Sequence, residues 1–226
     1  LKEEGVKSPI LLLSILFFAV CVANAHQPRI SFGAPHPFEN PVFIDSPEIS
    51  KAYYGELKGA ADYYKIESDR VFNLYVNILV PDEKNARTDM SVDITAGDTT
   101  IFDLKGDEFT WERFFEEFAR DSYLKGPEIN EDAAQGTYYL KVYDKDNTGK
   151  YALAVGNIES FPLLETIKMA WTLPRIKRDF FNKPALSAFF NIIGLFFAVY
   201  LLIALAIITG IFFIVRRLRR RRRKKR

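Results

Sequence analysis

Cysteine occurs once in the 226 residues, at position 21, and histidine twice, at 26 and 36. That leaves no material for a disulfide framework or a thiolate zinc site. Gly-x-Ser-x-Gly, a phosphate-binding glycine loop and His-Glu-x-x-His are all missing, and with them the usual signatures of hydrolases, nucleotide enzymes and zinc proteases. The chain reads as a non-enzyme without a cofactor. It also lacks any Asn-x-Ser/Thr acceptor, which suits a prokaryotic surface protein better than a eukaryotic one. With 48% apolar and 15% aromatic residues it is neither disordered nor collagen-like.

Charge is unevenly divided. Residues 26–183 carry 19 Lys/Arg against 27 Asp/Glu, a net of −8, whereas residues 216–226 hold ten Lys/Arg and no acid. An acidic body with a basic tail implies two different surroundings.

Two uncharged apolar stretches frame the chain. The first, Pro9 to Ala25, ends in Ala23-Asn24-Ala25, a small-x-small pattern that a signal peptidase accepts, so the mature chain is expected to begin at His26. The bulky Val20 beside Cys21 argues against lipoprotein processing. The second runs for thirty-two residues, Pro184 to Val215, longer than the roughly 30 Å hydrocarbon core requires at 1.5 Å per residue. Arg216, Arg217, Arg219 and Arg220 follow at once and open the basic run to Arg226. Positive charge beside a span stays cytoplasmic. The expectation is a single-pass cell-membrane protein of type I topology, its N-terminal domain extracytoplasmic and its tail cytoplasmic. The partners are the lipid bilayer and anionic lipid at the tail, not nucleic acid. The divisions are a signal peptide (1–25), an exported β-sandwich (26–160), a juxtamembrane amphipathic segment (161–183), a transmembrane helix (184–215) and a polybasic tail (216–226).

Within the exported region, period-two alternation marks strands. Phe72, Leu74, Val76, Ile78 and Val80 share one face; Met90, Val92 and Ile94 another, ahead of a turn at Gly97-Asp98 and a strand over Thr99 to Leu104. Tyr138, Leu140 and Val142 alternate likewise, as do Tyr151, Leu153 and Val155 with small Ala152 and Ala154 between. The turn-rich Asp144 to Gly149 predicts a hairpin joining the last two, and Lys58 to Asp62 a second between Tyr53–Leu57 and Tyr63–Glu67. Prolines 35, 37, 41 and 47 allow only edge strands near Arg29–Phe32 and Val42–Ile44. In Thr110–Arg120, Trp111, Phe114, Phe115 and Phe118 fall on one helical face behind a Thr cap, predicting a short inserted helix. That helix either covers an open end of the sheets or projects an aromatic surface for a protein or glycan partner.

These elements argue an antiparallel, jelly-roll-like β-sandwich with an inserted helix and one C-terminal transmembrane helix. Tyr54-Gly55-Glu56-Leu57, Asp62-Tyr63-Tyr64-Lys65-Ile66, Gly136-Thr-Tyr-Tyr-Leu-Lys-Val-Tyr143 and Gly149-Lys-Tyr-Ala-Leu-Ala-Val155 resemble the opening and closing motifs of the bacterial pre-peptidase C-terminal domain. The resemblance covers residues 54–156, and residues 106–130 depart from it. It implies a jelly-roll sandwich acting as an exported accessory module, without a catalytic residue.

Candidate sites are few. Asp144-x-Asp146-Asn147-x-Gly149 is similar to a calcium loop, yet its twelfth position is Val155, and the spacing suits a turn. A mature N-terminal His26 with His36 offers a copper-binding alternative, and a secretory-pathway cargo adaptor is a further one. Between sandwich and span, Leu163, Leu164, Ile167 and Trp171 share a helical face, and Arg175, Lys177, Arg178 and Lys183 gather with Phe180 and Phe181. Either an interfacial helix with Trp171, Phe180 and Phe181 at headgroup depth or a packed extension of the domain fits. The function expected is a non-catalytic, membrane-anchored binding or accessory module.

Overall fold

The computed structural model describes residues 26–223 apart from positions 118, 161 and 191; the signal-peptide reading of residues 1–25, with Cys21, lies outside them. The strands are β1 (Gln27–Ile30), β2 (Val42–Ile44), β3 (Lys51–Lys58), β4 (Asp62–Ser68), β5 (Phe72–Pro81), β6 (Ser91–Ala96), β7 (Thr99–Leu104), β8 (Glu112–Glu116), β9 (Asp121–Ala133), β10 (Gly136–Tyr143) and β11 (Thr148–Val155). Helix α1 (Leu163–Arg175), a wide turn (Ile176–Phe180), a tight turn (Ala185–Phe189) and helix α2 (Ile192–Arg223) follow.

Two sheets form, ordered β1-β3-β11-β5-β9-β8 and β2-β4-β10-β6-β7, here called sheets A and B. The pairings nest: β3 with β11, β4 with β10, β5 with β9, β6 with β7, all antiparallel. The chain is thus one long hairpin, closed at Gly97-Asp98 and folded over itself, which is a jelly roll. β1 and β2 extend the edges in parallel with β3 and β4. The two expected hairpins are corrected by this arrangement. β3 and β4, and likewise β10 and β11, follow one another in sequence but lie in opposite sheets. Alternation reports that a strand has one buried face; it carries nothing about which strand lies beside it.

The inward faces are those the alternation marks. Phe72, Leu74, Val76, Ile78, Val80, Tyr151, Leu153 and Val155 of sheet A meet Tyr64, Ile66, Val92, Ile94, Tyr138, Leu140 and Val142 of sheet B in one core. A buried polar chain crosses it. Ser31 Oγ lies 2.8 Å from Tyr64 Oη, Tyr64 Oη 2.9 Å from Tyr151 Oη, and Tyr151 donates to Asp62 Oδ2 at 2.7 Å. Because the Tyr151 proton is committed to Asp62, Tyr64 donates to Tyr151 and Ser31 to Tyr64. The His36 amide N–H donates to the other Asp62 oxygen at 2.9 Å. Every member has a partner, as buried polar groups require. Gly55 belongs to the same feature: a Cβ there would stand 2.2 Å from the Tyr151 ring, so only glycine admits the tyrosine. The glycine, aspartate and tyrosine of the sequence motifs therefore meet as one packing device.

The inserted helix is the second correction. Residues 112–116 are an edge strand, β8, paired with β9 from Glu112↔Lys125 to Glu116↔Asp121. Aromatic Phe114 and Phe115 suit a strand, and an open ladder on β9 outweighs a helix of two or three turns with little face to bury. β9 itself escaped the period-two reading because Gly126-Pro127 interrupts it. Both residues stand opposite Ile78 as a bulge, and the Asn77 side-chain amide donates to both freed carbonyls at 3.0 and 3.1 Å.

Sheet A is apolar on both faces. Ala52, Ala152 and Ala154 make a shallow floor on its outer side, and Ile176 and Phe180 fill it together with Tyr54, Leu79 and Tyr123. This explains the small residues between the core positions of β11. Pro174 in the last turn of α1 lacks the N–H that a regular helix would use. The following turn is wide, with the Phe181 N–H bonded to the Ile176 carbonyl at 3.1 Å, and Ile176, Lys177 and Phe180 are buried in it. The segment is locked by Lys177 Nζ to Asp121 Oδ2 at 2.7 Å, Lys183 Nζ to Asp121 Oδ1 at 2.9 Å and Arg29 to Glu165 at 2.9 Å.

α2 is the one helix among the described residues long and apolar enough to cross a membrane, over Ala198–Arg217 with a mean hydropathy of 2.8. Twenty residues at 1.5 Å give about 30 Å, the thickness of a hydrocarbon core. Arg216, Arg217, Arg219 and Arg220 lie exposed on its C-terminal end.

Candidate functional site

The two outer faces of the sandwich differ. That of sheet A is covered by α1 and the wide turn after it, leaving a cavity of about 50 Å³ lined by His26, Tyr54, Leu79, Phe114, Tyr123 and Met169 among others. The space is small and mainly apolar, well short of a substrate pocket. Tyr54 and Tyr123 hydrogen-bond each other at 2.8 Å beside it, and burial raises both phenols above the ordinary tyrosine range. Both therefore stay protonated at neutral pH.

The outer face of sheet B displays a row of aromatic and lysine side chains. Outward positions on adjacent strands put Phe43 beside Lys65 and Lys65 beside Tyr139, with Tyr63 beside Lys141 one row along. Phe38, from the proline-rich entry, stacks on this surface 4.7 Å from the Tyr139 ring and 5.5 Å from that of Tyr63. Lys141 Nζ stands 4.4 Å above the Tyr143 ring. Phe38 and Phe43 are each about half exposed. The result is a firm aromatic platform, since Phe43, Tyr63 and Tyr139 sit on paired strands and Phe38 holds the Tyr63 and Tyr139 rings edge-on and tilted. The signal for it was present in the sequence: once β4 and β10 are assigned, their outward positions read Tyr63, Lys65, Tyr139 and Lys141.

The other expected residues are distributed as follows. Trp111 is half-buried, its indole N–H donated to the Gly106 carbonyl at 2.8 Å and its ring over Gly126, where a Cβ would come within 2.5 Å. Phe114 faces Tyr123 beneath α1, 6.4 Å between centroids, and Phe115, one residue on in the strand, points to the opposite face. Phe118 lies outside the described residues. No shared aromatic face arises, because that expectation required a helix. Of the two expectations for Phe180 and Phe181, headgroup depth or a packed extension of the domain, the packing fits the second: Phe180 is buried against Tyr54 and Phe181 packs on Tyr123, drawn in by the alanine floor. Trp171 remains exposed.

The histidines are separately engaged. His26 Nδ1 pairs with the Ser50 hydroxyl, and burial pushes its imidazole down to about 4, whereas His36 Nε2 bonds the Ser31 carbonyl at 2.8 Å. Among the described residues no group of three or more His, Cys, Asp and Glu is arranged to hold a metal ion. In the Asp144–Gly149 turn the place of a cation is taken by Arg87. Its guanidinium chelates Asp89 at 2.9 and 3.0 Å, donates to Thr148 at 2.8 Å and stands 3.4 Å from Asp144 and Asp146.

No protein-family model and no curated protein matches this chain. Among solved structures, the pre-peptidase C-terminal domain of the collagenase from Bacillus anthracis aligns over 55% of this chain and 97% of its own, with 17% identity and a TM-score of 0.34. A β-glucosidase from Paenibacillus barengoltzii aligns over 58% of this chain and 13% of its own, with 11% identity and a TM-score of 0.26. The chain is similar to the first along nearly the whole of that domain; the jelly-roll assignment rests on the strand pairings themselves.

Proposed function

We propose that this is a single-pass membrane protein whose jelly roll lies outside the cytoplasm and serves as a non-catalytic binding or accessory module, engaging a protein or glycan partner through the outer face of sheet B. The observation that carries the reading is the uncovered platform of Phe38, Phe43, Tyr63 and Tyr139. Rigid rings, two of them amphipathic tyrosines on paired strands, present contact area at little entropic cost, and aromatic residues concentrate at recognition surfaces. The orientation is supported by the basic residues that follow α2 and the acidic balance of what precedes it. Arg216, Arg217, Arg219 and Arg220 then act as stop-transfer charges held at anionic lipid. A non-catalytic role is supported by the use of the buried Asp62, Tyr64 and Tyr151 in cross-sheet bonds.

The test is crosslinking of the full chain on intact cells followed by purification. Tyr63→Ser combined with Tyr139→Ser should abolish capture of the partner while leaving the protein folded and exported, since both side chains are partly exposed. Phe115→Ser, at the β8 edge, should leave capture unchanged. The reverse pattern would move the site to β8.

A further inference from the structure

Helix α1 is apolar on two sides. Met169 and Leu173 pack inward with Ala188. Leu164, Ile167 and Trp171, spaced i, i+3 and i+7, share the opposite face, with Leu164 71% and Trp171 78% exposed. Lys168 and Arg175, four and eleven residues beyond Leu164, stand exposed on that same face. Leu186 and Phe190, on and just after the tight turn that packs on α1, add further exposed apolar surface, Phe190 at 77%.

We propose that this outward face of α1 lies on the surface of the bilayer that α2 crosses, with Trp171, Leu164 and Ile167 at headgroup depth and Lys168 and Arg175 among the phosphates. The inference rests on reading α2 as membrane-spanning. Its first support is reach. Ala188 is packed against Met169 and Leu173, and Ile192, where α2 begins, is only four positions further along the chain. Four residue steps cover at most about 14 Å, so the inner side of α1 is held within that distance of the start of α2, the helix that carries the span. Its second support is chemistry. A face mixing aliphatic side chains, one tryptophan and cations suits the interface, where an indole favours the headgroup region and long basic side chains snorkel to phosphate. A consequence follows for the whole domain. Because α1 sits on the outer face of sheet A, the bilayer lies on that side, and the sheet B platform faces away from it, toward a partner.

The chain's two tryptophans permit a direct test. The full chain is reconstituted in phosphatidylcholine nanodiscs, with and without phosphatidylglycerol, whose lipids carry bromine near the headgroup end of the acyl chain. Trp171 is isolated in the Trp111→Phe chain and, independently, as the difference between the wild-type and Trp171→Phe chains, so that a folding defect in one variant does not decide the outcome. The expected result is blue-shifted Trp171 emission that is largely lost in brominated discs, while Trp111 keeps its emission. Lys168→Glu with Arg175→Glu should weaken the quenching, most in discs containing phosphatidylglycerol. An incorporated chain whose Trp171 emits as a water-exposed indole and is not quenched overturns the proposal while leaving the membrane anchor standing. Shielding without lipid quenching, seen only in discs holding two copies, also overturns it and assigns the face to a second copy of the chain. Failure to enter discs overturns the anchor and this proposal together.

Discussion

Asp121→Ala is expected to release the 163–183 segment from the sandwich, lowering the free energy of opening that segment by about 3 to 5 kcal/mol, the usual cost of leaving one partner of a buried ion pair uncompensated. Asp121 and Lys177 are both almost fully buried, and without Asp121 the Lys177 ammonium keeps the Ala119 carbonyl at 2.6 Å and the Phe181 ring at 5.9 Å but has no hydrogen-bonded carboxylate. Lys183, the second cation on Asp121, is more exposed and loses less. The measurement is amide hydrogen exchange on the purified full chain. Amides of α1 and the turn after it should lose protection while those of β5 and β11 keep theirs, since the segment contributes nothing to the core between the sheets. Unchanged exchange in α1 would show that the ion pair does not hold it. A pH dependence accompanies this. Burial holds the Lys177 ammonium below its ordinary range, against the opposing pull of Asp121. Just below the ordinary lysine value the unfolded chain therefore binds more protons than the folded one, and this group makes stability rise with pH across that alkaline window.

Leu153→Ala should lower the global stability of the jelly roll by about 2 to 5 kcal/mol, as a large-to-small change at a fully buried site. Leu153 is fully buried in β11, in register with Tyr53 of β3 and Ile78 of β5, and faces the sheet B core. Urea unfolding of the detergent-solubilised chain, followed by near-ultraviolet circular dichroism, gives the value. A loss below about 0.5 kcal/mol would contradict the strand face assigned to Leu153. The two substitutions act on opposite faces of sheet A. One should loosen a local segment and the other the whole sandwich, so their exchange patterns separate the layers.

Most strands were legible because half-buried β structure leaves an alternation that local sequence cannot hide. Phe72 to Val80 reads as a strand without any partner being known, and Val42–Ile44 survives among prolines as an edge. What could not be read was anything set by residues far apart. Asp121 and Lys177 are separated by 56 positions, and nothing near either indicates the other. Likewise, the turns after β3 and β10 look like hairpin turns, though each carries the chain across the core. The segment around Phe114 misled because its aromatics fit a helical period over a length too short to decide, while the strand that recruits it, β9, was masked by Gly126-Pro127. The aromatic platform was half legible. Tyr63 and Tyr139 stand at outward positions of recognisable strands, but Phe38 reaches them only through the tertiary path of the entry segment.

The orientation of the chain in the membrane is the claim on which the rest depends, and impermeant-maleimide labelling tests it directly. In a Cys21→Ala background, single cysteines replace Glu131, exposed in the jelly roll, and Arg220, exposed beyond the span. The account predicts that Glu131→Cys is labelled on intact cells and that Arg220→Cys is labelled only after permeabilisation. Labelling of Arg220→Cys on intact cells, with Glu131→Cys protected, would contradict it.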